Sequence, residues 1–174
     1  IFSEPDDKRQ KVEQDLAVTI QRTKLSAENK GEMMLAGPIQ GGRFPDLREY
    51  AAREMSKLDC DVFPIGGVVP MMERQQYFTL VDAVLSAKKH LNPAIPVHLF
   101  GCGHPMLFSI AALMGCDMLD SSAYAKFARD GRMMFPDGTR FLKDLKELPC
   151  HCPVCSDHTA AELNLSPSRE KLIA

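Results

Sequence analysis

Three cysteines lie within six positions near the end of this 174-residue chain. Cys150, Cys152 and Cys155 place three thiolates where they can converge on one tetrahedral ion, and zinc is the usual occupant of such a set. A structural zinc site needs a fourth ligand, for which His151, His158 and a residue beyond this sequence all remain candidates. Three reduced cysteines without a metal are the alternative. Because the cysteines show no disulfide framework, we expect a reducing, cytoplasmic compartment.

A second candidate for chemistry is Asp120, which ends a short apolar segment and follows Asp117 by three positions. A carboxylate there can serve as a nucleophile, although an aspartate at the end of a strand more often caps the following turn. Residues 40–42 (Gln-Gly-Gly) and 66–68 (Gly-Gly-Val) also follow apolar segments. Glycines at such places let backbone amides approach a planar ligand, or simply form tight turns.

Basic side chains cluster in the sequence after the candidate aspartate, at Lys126, Arg129, Arg132 and Arg140. A solvated loop and helix face explains them as well as a phosphate-binding patch does. The whole chain has 21 basic and 23 acidic side chains and a formal net charge of -2, so no global field attracts it to nucleic acid or to a membrane. No apolar run approaches the ~20 residues that span a bilayer. Any polyanionic partner must therefore be bound locally.

The elements that must position these residues alternate between helix and strand. Apolar spacing predicts helices up to about residue 27, from residue 45, over 75–91 and over 106–114, and strands over 33–36, 61–65, 95–100 and 116–120. The alternation predicts a parallel sheet with right-handed crossovers, either doubly wound or a barrel. Four such units are half of a (β/α)8 barrel, whose chemistry lies at the carboxyl ends of the strands. His98 is then a strand histidine and His104 a loop histidine.

Finer patterns complete this prediction. The helix from residue 45 is expected to bury Leu47, Tyr50, Ala51 and Met55, and the next long helix Phe78, Val81, Leu85 and Ala87. A turn at 136–139, a short helix over 140–148 and a helical tail after the cysteines should follow. The first residue is Ile and residues 169–174 resemble a helix interrupted mid-turn, so we expect a fragment of a longer protein.

Five segments occur in an order that resembles the tRNA-guanine transglycosylases, most closely their archaeal, archaeosine-forming branch. They are 38–42 (PIQGG), 64–73 (PIGGVVPMME), 98–105 (HLFGCGHP), 115–121 (GCDMLDS) and 149–155 (PCHCPVC). The resemblance implies an α/β fold of the (β/α)8 TIM-barrel type. Residues 1–148 would supply the last four βα units, and residues 149–174 a zinc-binding knuckle with the start of the following helix.

The resemblance also implies an activity and its residues. The family consists of pentosyltransferases that exchange guanine in tRNA for a 7-deazaguanine base, here 7-cyano-7-deazaguanine in archaeosine biosynthesis, a relative of queuine modification. Asp120 would attack the ribose C1′ and hold tRNA as a covalent aspartyl-ribose intermediate, as in retaining glycosidases. Gln40, Gly66, Gly67 and Val68 would line the pocket for the base.

The same resemblance implies tRNA contacts for Arg129 and Arg132. It also implies Zn²⁺ on Cys150, Cys152 and Cys155, with a downstream histidine as fourth ligand. The family's Asp-Ser-Gly-Gly-Phe-Gln segment, which carries its acid/base aspartate, does not occur in this sequence. We expect the N-terminal half of the barrel on the same polypeptide or on a separate subunit, an inactive isolated fragment, and a homodimer.

Two alternatives remain open at the level of sequence. One is an archaeosine synthase-like paralogue or a non-catalytic tRNA-binding subunit with the same fold. The other is a zinc-stabilised interaction module without enzymatic activity, which would leave Asp120 and the glycines after the strands without a purpose.

Overall fold

A computed structural model describes residues 1–168 of the chain, and the predicted interrupted helix at 169–174 lies outside them. The chain divides into two compact units. The first contains residues 1–102 and 110–120, and the second contains residues 103–109 and those from 121 onward. This division falls upstream of the predicted boundary at 148/149.

The first unit alternates helices and strands. Its elements are α1 (Arg9–Asn29), α2 (Pro45–Met55), β1 (Phe63–Ile65), α3 (Val69–Glu73), α4 (Tyr77–Lys88), β2 (Val97–Leu99) and β3 (Met118–Leu119). After β2 come a 3₁₀ turn at Pro105–Leu107, which belongs to the second unit, and helix α5 (Phe108–Leu113), which joins the first unit from residue 110. Proline occupies the first turn of α2, where its missing N–H costs nothing and its fixed φ favours the helix.

The strands form a parallel sheet in the order β1-β2-β3, with Ile65 opposite Leu99 and Leu99 opposite Leu119. Residues 36–39 extend this sheet beside β1 through parallel bridges, in which the amide of Ile39 donates to the carbonyl of Pro64 at 2.7 Å. The predicted α/β organisation with parallel strands is therefore confirmed. In place of the strand predicted over 33–36, the structure has isolated bridges at Ala36 and Ile39, and Met33 and Met34 are exposed.

The core of the first unit lies between its helices and the sheet. Helix α2 packs against α4, with Met55 and Ala51 completely buried. The predicted stripe on α4 is wrong except at Ala87, since Phe78 is 92% exposed and Leu85 is exposed as well. Both stripes have helical spacing, and contact with α2 selects the other one. It consists of Leu80, Ala83, Val84 and Ala87. Tyr50 of α2, also predicted inside, is exposed.

The second unit contains a β-hairpin over 132–141, which includes the turn predicted at 136–139 and the start of the helix predicted over 140–148. Its elements are α6 (Ala123–Arg129), β4 (Arg132–Phe135), β5 (Gly138–Phe141), a 3₁₀ turn at Leu142–Asp144, α7 (Pro153–Asp157) and α8 (Ala160–Leu165). Pro136 and Asp137 form the two-residue turn, so that Phe135 pairs with Gly138. The predicted helix over 140–148 is therefore wrong, because its first residues continue the hairpin. A short helix after the cysteines is confirmed.

Helix α8 begins with a reciprocal cap. The Thr159 hydroxyl accepts from the Glu162 amide, and the Glu162 carboxylate accepts from the Thr159 amide. Leu163 of α8 and Leu142 of the 3₁₀ turn are buried where these two elements meet. Across residues 1–168, the helices are all too short or too polar to cross a lipid bilayer.

Candidate active site

The carboxyl edge of the parallel sheet collects the candidate residues of the first unit. Gln40 follows the bridge at Ile39, Gly66 follows β1, and Asp120 follows β3. Because all four segments run in the same direction, their carboxyl ends meet at one edge. This is where ligands bind in α/β sheets and barrels.

Asp120 is held at this edge by two hydrogen bonds to the same oxygen. The backbone amide of Gly101 donates to Oδ1 at 2.6 Å, and His98 Nε2 lies 2.8 Å from Oδ1. The loop after β2 presents that amide in a left-handed conformation, with φ of 75° at Gly101, which favours glycine. The Asp120 side chain is 46% exposed, so it is fixed in orientation and still accessible to a ligand.

His98 is a functional candidate that the sequence interpretation missed. It lies on β2 with its side chain 16% exposed, and its ring centroid is 4.9 Å from that of Phe100. Alternation along β2 places His98 and Phe100 on one face, beside the strand that ends in Asp120. The alternation along β2 was the sequence signal for His98. It could be used only with the knowledge that β2 and β3 are neighbours.

The other acidic candidate, Asp117, lies at the opposite end of β3. Its Oδ2 accepts a hydrogen bond from the amide of Val97 at 2.8 Å, which fixes the start of β2. Asp117 is therefore part of the sheet's amino edge. Among the pair of aspartates, Asp120 is the one at the carboxyl edge.

Cys102 lies next to the glycine that holds Asp120, and it is buried. Burial raises the pKa of the Cys102 thiol to about 11. The thiol stays protonated at neutral pH, where the thiolate is the reactive form. Cys102 is therefore a poor candidate for a nucleophile.

Gln40 lies directly against the glycines that follow β1. A Cβ placed on Gly66 would overlap the Gln40 amide nitrogen, and one on Gly67 would lie 3.4 Å from Gln40 Oε1. Glycine at position 66 thus leaves room for the carboxamide. Gln40 and Gly67 are partly exposed, whereas Val68 is completely buried.

Arg48 is a second residue that the sequence interpretation missed. It is completely buried, and its guanidinium donates to the carbonyls of Gly42, Ile39 and Gly66 at 2.7–2.9 Å. Burial lowers the pKa of Arg48 to about 10, and the group remains charged at neutral pH. The available signal was an arginine on the buried stripe of α2, one position after Leu47.

The three clustered cysteines come together in the second unit. The sulfur atoms of Cys150, Cys152 and Cys155 all lie within 4.8 Å of one another, with 3.6 Å between those of Cys150 and Cys155. Zinc–sulfur bonds of about 2.3 Å in a tetrahedron place sulfurs about 3.8 Å apart, so the donor set fits Zn²⁺. Among residues 1–168 this cluster has three members, and it includes neither His151 nor His158.

Arg129 and Arg132 of the second unit both have interactions within the chain. Arg132 contacts Asp130 at 2.5 Å and lies 4.1 Å from the centroid of the Phe127 ring. Arg129 is the last residue of α6 and also has an interaction partner. Since Met133 is opposite Arg140 in the hairpin, Arg140 and Arg132 belong to opposite faces of it. The hairpin therefore separates two of the four residues predicted as one patch.

Comparison with known proteins gives a consistent result. The family described as "Queuine tRNA-ribosyltransferase" matches residues 1–174. The chain is 49% identical over 172 residues to the tRNA-guanine(15) transglycosylase of Methanosarcina barkeri, which covers 97% of this chain and 35% of that protein. The protein of the same name from Thermococcus kodakarensis is 48% identical over 167 residues, covering 96% of this chain and 29% of its own length. The one from Haloferax volcanii is 47% identical over 173 residues, with coverage of 98% and 34%. The chain thus spans about a third of the length of these relatives.

Proposed function

This chain belongs to the queuine tRNA-ribosyltransferase family, and we propose that the complete protein is a tRNA-guanine transglycosylase that inserts 7-cyano-7-deazaguanine into tRNA, in archaeosine biosynthesis. The names of its archaeal relatives support guanine in tRNA as the group exchanged. The single observation that carries the proposal is Asp120, held by His98 and Gly101 at the carboxyl edge of the parallel sheet.

Asp120 supplies the nucleophile for a double displacement. Its carboxylate attacks C1′ of the target ribose, the bond from C1′ to guanine N9 breaks, and guanine leaves with the electron pair and takes up a proton. The incoming base loses its N9 proton, attacks C1′ and displaces the carboxylate. The aspartyl-ribose ester holds the tRNA between the two steps, as in retaining glycosidases.

The contacts of Asp120 support this role. Among the described residues, hydrogen bonds reach only Oδ1, so Oδ2 is the oxygen that attacks. A fixed carboxylate reaches C1′ without first losing rotational freedom. The proton transfers need an acid/base group, which we assign to the N-terminal half of the barrel, on the same polypeptide or on a separate subunit.

The base pocket lies two strands away along the same edge. Neighbouring strands are ~4.8 Å apart, so β3 lies about 10 Å from β1, a gap that a nucleoside can bridge. There the Gln40 carboxamide and the backbone of Gly66, Gly67 and Val68 would bind the edge of the flipped-out base.

Further parts of the proposal concern assembly. The four parallel segments form half of a (β/α)8 barrel within residues 1–148, and a knuckle from residue 149 binds Zn²⁺ through Cys150, Cys152 and Cys155. A fourth ligand comes from outside residues 1–168. The ion would stabilise the knuckle rather than take part in the reaction, because a closed four-ligand site offers no open position.

Arg129 and Arg132 contact tRNA phosphates, and the complete protein is a homodimer.

The test uses the complete protein, tRNA and labelled guanine, with Asp120→Asn compared to Asp82→Asn on the exposed side of α4. Asp120→Asn should lower exchange by about a thousandfold or more and abolish the tRNA adduct on a denaturing gel. Asp82→Asn should behave as the wild type. An undiminished adduct in Asp120→Asn would refute the assignment. Tight tRNA binding without exchange by the wild type would instead favour a non-catalytic relative.

A further inference from the structure

Arg48 is a buried cation whose partners are backbone carbonyls. Its Nε donates to the carbonyl of Gly42 at 2.9 Å, and its Nη1 donates to those of Ile39 at 2.9 Å and Gly66 at 2.7 Å. None of the ion pairs among the described residues includes Arg48. A charge taken out of water without a counter-ion is costly, so stability alone does not account for it.

The carbonyls that Arg48 binds belong to two different loops. Ile39 and Gly42 flank Gln40, whereas Gly66 belongs to the loop after β1. The planar guanidinium has a fixed arrangement of donors, and it therefore sets the distance between the two loops.

The remaining nitrogen of Arg48 is buried without a hydrogen-bond partner among the described residues. A Cβ on Gly67 would lie 3.6 Å from this Nη2 and 3.4 Å from Gln40 Oε1, so both groups border the same point. A buried donor without a partner lowers stability. Natural proteins accept such violations mainly at functional sites.

We propose that Arg48 is a positioning residue of the base pocket, which holds the Gln40 carboxamide and the Gly66–Gly67 backbone at the spacing that a guanine-like base requires. The inference rests on the proposed function and deepens it. Arg48 acts through these neighbours, so its replacement should weaken binding of the base and leave tRNA binding unchanged.

The experiment compares Arg48→Lys with Arg53→Lys in the complete protein, measuring KM for labelled guanine, KM for tRNA, kcat and thermal stability. Arg53 lies on the same helix, is exposed, and pairs with Glu49 and His90. Lysine keeps the charge but has all its donors on one nitrogen, so it cannot reproduce the planar arrangement that joins the two loops. Arg48→Lys should raise KM for guanine by about ten- to a hundredfold, which corresponds to loss of one or two hydrogen bonds. Arg53→Lys should change none of the four.

Gly66→Ala tests the same geometry without removing the buried cation. Its added Cβ would displace Gln40, so KM for guanine should rise here as well, even if Arg48→Lys fails to fold. In a double-mutant cycle, Gln40→Ala and Arg48→Lys together should cost little more than the larger single effect. Additive effects would refute action through Gln40.

Other outcomes separate the inference from the proposed function. An unchanged KM for guanine in folded Arg48→Lys or Gly66→Ala, or equal losses in both KM values and in kcat, would overturn the positioning role. Absence of exchange by the wild-type protein would contradict the proposed function itself. In that case, equilibrium binding of guanine to the wild type and to Arg48→Lys still decides the inference, and equal affinities would overturn it.

Discussion

Replacing His98 tests how the candidate nucleophile is oriented. His98→Phe removes the hydrogen bond between Nε2 and Asp120 Oδ1 and keeps a planar ring beside Phe100. The amide of Gly101 still donates to the same oxygen at 2.6 Å. We therefore expect the first chemical step to become slower without being abolished.

The magnitude follows from the exposure of the carboxylate. A hydrogen bond to a charged group contributes ~1.5–3 kcal/mol when it is shielded from water. The Asp120 side chain is 46% exposed, so water replaces part of the lost interaction. The substitution should therefore remove about 1 kcal/mol of transition-state stabilisation, and adduct formation should become about fivefold slower. This is far smaller than the loss expected from Asp120→Asn.

The assay is single-turnover formation of the covalent tRNA adduct by the complete protein, with His90→Phe as control. His90 is a histidine of the same unit that pairs with Glu49 on the helical side. An unchanged rate in His98→Phe would show that the 2.8 Å contact does not orient Asp120. Complete loss of the adduct would refute the reasoning in the other direction, because it would require His98 to take part in the chemistry.

Two further predictions concern the second unit. The complete protein should contain about one zinc per chain by elemental analysis. Cys155→Ser should lose the zinc, whereas the control Cys60→Ser, at a buried site in the first unit, should retain it. Wild-type protein without zinc would refute the site. Hydrogen bonds from Thr159 lower the pKa of Glu162, so the ionised Glu162 carboxylate stabilises the folded state. This stabilisation is present above the unfolded pKa of about 4.3 and is lost as the pH falls through the lower folded pKa. The difference in urea midpoint between wild type and Glu162→Gln should therefore be largest at pH 7 and shrink as the pH falls below about 4.3. A difference that stays constant with pH would contradict the role of the carboxylate.

The local periodicities of the sequence identified most elements but not their buried faces. Pro45 and the spacing of Leu47, Ala51 and Met55 predicted α2 correctly, since an amphipathic helix that begins with proline is a local property. On α4, the set with Phe78 and the set with Leu80 both have helical spacing. Only packing against α2 distinguishes them. The helix predicted over 140–148 failed because a two-residue turn at Pro136 and Asp137 pairs two strands, and pairing is not local.

The sequence by itself determined the alternation of strands and helices and the residues that end each strand, because these follow from short-range spacing. The family followed from the resemblance of five ordered motifs, so Asp120, Gln40 and the Gly66–Gly67 pair could be named without a structure. Only the tertiary structure decided what these residues contact. His98 meets Asp120 because β2 and β3 are adjacent, and Arg48 joins two loops because α2 buries its side chain beneath them. Contacts between residues distant in sequence depend on how elements pack, which periodicity does not encode.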